Sequence, residues 1–351
     1  MNFRCLLLKS RAVLCWMCVF FGVLTVPVGA ETLRVLTWPG YADADIVKTF
    51  EQRTGAKVEL TFIDSDEQLW QKINQNDARD FDVFAVNTAE LQRYMDHGWA
   101  VPVNLELVPN LDRLQSQFRV LKAIPGVVRE NNVYAVPYTY SEMGIIYDRK
   151  QVSPAPQSVQ VLWDPRYKGR VLLYNGGVHN FSLAVQSLTK RSPFRMDSFE
   201  WAPTVQQLIA LRRNALAFYT QPEESATLFR TKGAALMLAN YGSQQVQLLK
   251  NAGMDVGYVI PREGALAWLD CWVLTRGMKN AKLAHAWLNY MLESAPSEAL
   301  VKRQGLSSTT IAAPTSKERL VWLEPVEDAE RRNLLWERIV SGDSAAKVMA
   351  R

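Results

Sequence analysis

Sulfur and imidazole are scarce in this sequence, which holds four cysteines and three histidines in 351 residues. Cys5, Cys15 and Cys18 fall in the first thirty residues, so Cys271 stands alone in the rest of the chain. One cysteine closes no internal disulfide. The spacing Cys15-x-x-Cys18 would suit a redox pair, but it lies inside an apolar run and is read as chance. His97, His179 and His285 are far apart, with no second ligand at zinc spacing. No metal and no cofactor are expected. A Gly-x-Ser-x-Gly elbow, a phosphate-binding P-loop and a His-Glu-x-x-His helix are all missing, so an enzyme is not expected.

Charge of one sign is lacking too. The net charge is +5, and Arg4, Lys9 and Arg11 account for part of it without any acid in the first thirty residues. The remainder carries 37 basic against 35 acidic residues. That balance gives no electrostatic footprint for nucleic acid or a membrane surface. Long apolar runs are confined to about Ala12–Val26. Together with the basic start and the small residues Val28-Gly29-Ala30, this run reads as a secretory signal cut after Ala30. The working protein is therefore expected in the periplasm or outside the cell.

Beyond Ala30, short strand-like runs alternate with helical patterns. Leu33–Thr37, Lys57–Phe62 and Asp82–Val86 read as strands. Asp45–Thr54 reads as an amphipathic helix stopped by Gly55, and Ser65 as the cap of a second helix. Thr88 opens a third helix, ending near Gly98. Such units imply a parallel sheet with helices on both faces. The pattern weakens from Pro102 to Pro125. It resumes with a strand over Tyr134–Tyr140, a strand over Gly169–Tyr174, a helix from about Asn180, a buried strand over Ala234–Leu238 and a helix over Ala281–Glu293. Tyr134–Tyr140 and Val256–Ile260 read as crossings between two lobes, near Pro137 and Pro261. Lobe 1 is expected to comprise 31–137 and 265–310, and lobe 2 to comprise 138–264 and 311–351.

Trp38, Asn87, Asn175 and Asn240 each follow a predicted strand. Ligands of open parallel sheets sit beyond the carboxyl ends of strands, so these positions are expected to converge on one cleft. Asp270 stands two residues after Trp268, and Trp38-Pro-Gly-Tyr41 offers a second aromatic pair. A carboxylate beside ring faces is equipment for an organic ammonium ion: opposite charge from the acid, cation–π attraction from the rings.

Several of these stretches together resemble the periplasmic substrate-binding proteins of the spermidine/putrescine class, which feed ABC transporters. The matching signs are Trp38-x-x-Tyr41, Phe50-Glu-x-x-Thr-Gly55, Asp82-Val-Phe-Ala-Val86, Val136-Pro137-Tyr138, Trp163-Asp-Pro-x-Tyr-Lys-Gly169, Pro261-x-Glu-Gly264 and Trp268-x-Asp270. The resemblance implies an α/β protein of two hinged lobes, the type II periplasmic-binding-protein fold, with each lobe a mixed sheet flanked by helices. It also implies a non-enzyme, monomeric, that closes on an amine and is read by an inner-membrane ABC permease. A membrane-bound sensor, such as a cyclic-dinucleotide enzyme, is the competing partner. Candidate ligand-binding residues are Trp38, Tyr41, Asn87, Tyr140, Glu142, His179, Tyr241, Trp268 and Asp270.

The chain departs from the family where an aspartate and a glutamate usually hold a second ammonium. The matching positions are Gly176 and His179. Tyrosine is usual near Ala89, and tryptophan near Asn240 or Tyr241. An ammonium stripped of water needs compensating charge. Either Glu142, Glu223 or Glu224 supplies that charge from another loop, or the ligand carries fewer charges. Asn175-Gly-Gly177 before a helix offers N–H groups that would suit a ligand carboxylate. Asp64, Asp66 and Glu67 read as helix capping and solvated charge.

Overall fold

The computed structural model describes residues 30–188, 191–312 and 319–350. The expected signal, apart from Ala30, lies outside the described residues. The chain opens with β1 (Thr32–Thr37), α1 (Ala44–Thr54), β2 (Lys57–Phe62), α2 (Asp66–Asn74), β3 (Val83–Asn87) and α3 (Leu91–Asp96). Ile46, Val47 and Phe50 form the buried stripe of α1, and Gly55 ends it at φ 72°, donating its N–H to the Glu51 carbonyl. Ser65 caps α2 by accepting from the Gln68 N–H. The segment with no clear pattern holds short 3₁₀ turns, β4 (Ala100–Val101), α4 (Ser116–Arg119) and the hairpin of β5 (Val128–Arg129) with β6 (Asn132–Val133).

The middle of the chain holds β7 (Ala135–Glu142), β8 (Gly144–Asp148), β9 (Val171–Tyr174), α5 (Gly177–Leu188), α6 (Trp201–Asn214), β10 (Ala215–Tyr219), α7 (Pro222–Lys232), β11 (Leu236–Ala239), α8 (Ser243–Asn251) and β12 (Val256–Val259). The last part holds β13 (Ala265–Thr275), α9 (Ala281–Met291), α10 (Ser294–Ala299), β14 (Ser307–Ser308), β15 (Leu320–Trp322), α11 (Ala329–Val340) and α12 (Ala345–Met349).

These strands form two main sheets. The first runs β14-β7-β13-β3-β1-β2, with β15 and β4 also paired to β13; the second runs β10-β9-β11-β8-β12. Each is mixed rather than purely parallel. β1, β2 and β3 are parallel, as their helical crossovers require, but β13 is antiparallel to both β3 and β7. In the second sheet β8 is antiparallel to β11 and β12. The reason lies in the crossings. β7 leaves the first sheet at Glu142, and β8 begins in the second at Gly144. β12 leaves the second sheet at Val259, and β13 enters the first at Ala265. A strand that returns after such a visit need not follow a helix, so it inserts antiparallel. Pro137 itself sits within β7 opposite Cys271.

All eleven residues of β13 are buried. A strand covered on both faces shows no alternation of apolar and polar residues, which hides it from period-two reading. Behind it an aromatic chain runs through the core. Tyr41 packs edge-on against Tyr138 and Trp272, Trp272 against Trp287, and Trp287 against Phe50 on α1. The C-terminal α11 packs beside α5, where the fully buried Arg332 donates to the Ser182 hydroxyl and pairs with Glu327 at 2.7 Å. Among the described residues no helix is long and apolar enough to cross a membrane.

Candidate functional site

Alternation along β13 puts Trp268 and Asp270 on one face of the first sheet. Asn87, at the end of β3, is paired directly opposite Asp270 and shares that face. The turn after β1 then brings Tyr41 over the same point. Its N–H bonds the Trp38 carbonyl, and its hydroxyl donates to Asp270 Oδ2 at 2.5 Å. The Trp268 indole donates to the Asn240 carbonyl at 2.8 Å, which ties β13 to the loop after β11 in the second sheet. The second sheet contributes Tyr174 at the end of β9, His179 on α5, and Asn240 with Tyr241 after β11. Together these groups line a cavity of about 300 Å³.

Seven candidate residues therefore meet in one cavity: Trp38, Tyr41, Asn87, His179, Tyr241, Trp268 and Asp270. Tyr140 and Glu142 are not among its lining residues. Tyr140 is paired with Leu269, between Trp268 and Asp270, so its ring projects from the opposite face. There it packs on Phe118 and Trp322. Glu142 is paired with Ala267, on that same opposite face, and accepts from the Tyr258 hydroxyl at 3.2 Å. Glu224 closes a capping box at the start of α7 with Gln221, while Glu223 lines the cavity from an exposed position. Asn175 lies in an adjoining hollow, its side-chain oxygen taken by the Trp336 indole at 2.9 Å. α5 begins at Gly177 rather than near Asn180, because the Asn180 amide donates to the Tyr174 and Gly176 carbonyls and folds that turn into the helix start.

Asp66 is the residue that sequence reasoning missed. It is the first residue of α2, with Ser65 as the cap, yet its side chain lines both the cavity and the adjoining hollow. The local signal was available. A residue just past a strand of a parallel sheet points toward the strand ends, as Asn87 does. Its sequence neighbours, Ser65 and Glu67, made capping the simpler reading.

Burial sets the protonation of this site. Asp270 is 6% exposed, and burial pushes its carboxyl up to about 7, with the Tyr41 hydroxyl pulling the other way. Burial also holds the Asp66 carboxyl well above the ordinary carboxylate range; Glu90 adds to this, Arg93 opposes it, and the charge of Asp270 raises it further. Burial lowers His179 to about 4, so it faces the cavity as a neutral imidazole at pH 7. Its ring stands edge-on to Tyr174 at 5.3 Å. Gly176 is held to glycine by that same tyrosine: a Cβ there would lie 2.6 Å from the Tyr174 ring. No carboxylate fits at 176 while Tyr174 keeps this place.

Among the described residues four acids line the cavity, Asp43, Asp66, Glu223 and Asp270, and no lysine or arginine does. Asp43 is paired with Arg303 at 2.8 Å. Rings, one deeply buried carboxylate and a surplus of acid are chemistry for a small organic cation, not for an anion. Among the described residues no group of three or more His, Cys, Asp or Glu could hold a metal ion.

Comparison with known proteins places the chain in a family. The model of a family described as bacterial extracellular solute-binding protein matches residues 45–323. The spermidine/putrescine-binding periplasmic protein of Escherichia coli is 24% identical over 284 residues, covering 81% of this chain and 79% of that protein. A putrescine-binding periplasmic protein of the same organism is 26% identical over 282 residues, covering 76% and 75%. Among solved structures, the spermidine/putrescine ABC transporter substrate-binding protein PotD of Streptococcus pneumoniae superposes with a TM-score of 0.66 at 23% identity, over 80% of this chain and 84% of that one. With a family match over most of its length and the fold to go with it, the chain belongs to the bacterial extracellular solute-binding proteins.

Proposed function

We propose that this protein is a periplasmic solute-binding protein that closes on an organic amine and hands it to the permease of an ABC transporter. One observation supports the amine above all others. Asp270 is buried among Tyr41, Trp268 and Asn87 with a hydroxyl donor but, among the described residues, no cationic side chain in an ion pair with it. A buried carboxylate left in that state is poorly compensated, and an incoming ammonium would complete it. The rings of Trp38, Tyr41 and Trp268 would cover the ligand's methylenes. The names of the relatives, which bind spermidine or putrescine, point the same way.

Since β7 stays in the first sheet to Glu142, the first lobe would run past Pro137, comprising 31–142 with 265–310, and the second 144–264 with the C-terminal helices, closing about the crossings at Met143 and between β12 and β13. Closure changes the relative placement of the two lobes, and a permease would read that closed shape. The Asn175-Gly-Gly177 turn lines the adjoining hollow and not the cavity that holds Asp270, which weighs against the zwitterion reading. The protein would act as a monomer, without catalysis.

The test is a thermal-shift panel of putrescine, spermidine, n-butylamine, γ-aminobutyrate and butyrate. A ligand stabilises by RT ln(1 + [L]/Kd), so millimolar ligand over micromolar affinity gives about 4 kcal/mol. Amines should raise Tm by several degrees and butyrate should not. A shift with butyrate, or none with any amine, would overturn the assignment.

A further inference from the structure

We infer that Asp66 is the second cation-holding group of this cavity and the residue that selects a ligand with two ammonium groups over one with a single ammonium. This deepens the amine reading and rests on it. The argument starts from what Asp66 does not do. Ser65 already caps α2, so the Asp66 carboxylate is not needed there. Among the described residues its one hydrogen-bond donor is the Asn87 amide at 3.3 Å. The nearby Arg93 guanidinium pairs with Glu90 at 2.8 Å and donates to the Asp66 main-chain carbonyl, not to its carboxylate.

Of the other acids on the wall, Asp43 is satisfied by Arg303 and Glu223 is exposed to solvent. Among the described residues that leaves the buried Asp270 and the half-buried Asp66 as the carboxylates of the wall without a cation in an ion pair. The cavity also holds an acceptor without a donor: Asn240 is 5% exposed, and its Oδ1 has no hydrogen-bond partner among the described residues. A ligand bearing several N–H donors would satisfy all three groups, whereas a monoamine at Asp270 would leave Asp66 uncompensated. The facing wall cannot make up the difference, since Gly176 has no room for an acid and His179 is neutral. The second charge has thus moved from the α5 side of the cleft to the start of α2.

Isothermal titration of the purified protein with putrescine and with n-butylamine tests this. They share a four-carbon chain and differ by one ammonium. The parent protein should bind putrescine at least tenfold more tightly. Asp66→Asn should weaken putrescine at least tenfold, leave n-butylamine within threefold, and raise the Tm of the unliganded protein, because a poorly compensated carboxyl group is gone. Asp66→Ser, a second common helix-start residue, should behave alike if the asparagine variant fails to fold. Equal losses for both ligands, or no loss for either, would overturn the inference. A parent protein that binds n-butylamine as well as putrescine would overturn it while leaving the amine reading intact. Binding of neither would overturn both.

Discussion

The two walls of the cavity are built from different chemistry. The wall on the first sheet carries the charge: Asp270 on β13 and Asp66 at the start of α2, with Trp38, Tyr41 and Asn87 beside them. The wall on the second sheet holds no buried charge: Tyr174, neutral His179, Asn240 and Tyr241, with the exposed Glu223 at its edge. The difference teaches how such a site can divide its labour. The charged wall is held by strand pairing, with Asp270 fixed between Asn87 and Thr139. The neutral wall consists of rings and amides at loop and helix starts. If the lobes close, the first wall supplies attraction and the second removes water, which strengthens the attraction without adding a buried charge of its own.

The largest break in this comparison should come from the charged wall. Asp270→Asn should weaken amine binding about 30-fold or more, a loss of 2 kcal/mol or more, since it leaves a buried ammonium without its partner. Titration calorimetry measures it, and an unchanged affinity would remove Asp270 from the site.

Next in size is the effect of pH. Asp270 is pushed up to about 7 by burial, so near neutral pH it is only partly charged before ligand arrives. An ammonium binds the charged form. Affinity should therefore rise about tenfold from pH 6 to pH 8 and flatten above that, with proton release visible as a dependence of the binding heat on the buffer. The stability of the unliganded protein should run the other way. The unfolded chain gives up this proton near 4 and the folded one near 7, so stability falls as pH rises through that window and levels above it. Thermal melts without ligand from pH 4 to 8 check the sign.

A smaller effect should follow from placing charge on the neutral wall. His179→Glu puts a carboxylate where the polyamine-binding class usually has one. With the second ammonium held at Asp66, it should change putrescine binding relative to n-butylamine by less than about threefold, and it should lower the Tm of the unliganded protein, because a buried acid replaces a neutral ring. A tenfold gain for putrescine would place the second ammonium near α5 and away from Asp66.

How far these walls could be read from the sequence depends on how local their signals are. Trp268-x-Asp270 needs only strand alternation to share a face, and Trp38-x-x-Tyr41 needs only a turn, so both were legible. Helix ends marked by Gly55 and Ser65 were legible for the same reason. Asp66 was not, because its role depends on where α2 starts relative to β3 and α5, a contact between distant segments. β13 was hidden as a strand because a fully buried strand loses its alternation. Gly176 could be seen as a departure from the polyamine binders, but not why: the Tyr174 ring that excludes a side chain there is known only from the packing.

Tyr140 marks the limit of sequence reading most clearly, and its substitution should have the smallest effect. In sequence it belongs to a run of aromatics at a crossing, which made it a candidate for ligand contact. Pairing with Leu269 instead turns it away from the cavity, onto Phe118 and Trp322. Tyr140→Phe keeps the ring and its packing, so amine affinity should stay within twofold by calorimetry. Tyr140→Ala should lower stability by about 3 kcal/mol or more through the void it leaves, again with little change in affinity once the folded fraction is accounted for. A tenfold loss of affinity in Tyr140→Phe would mean that β7 is shifted by one residue against β13. A shift of one residue exchanges the two faces of the strand, and would then exclude Thr139 and Ser141 from the face shared with Asp270.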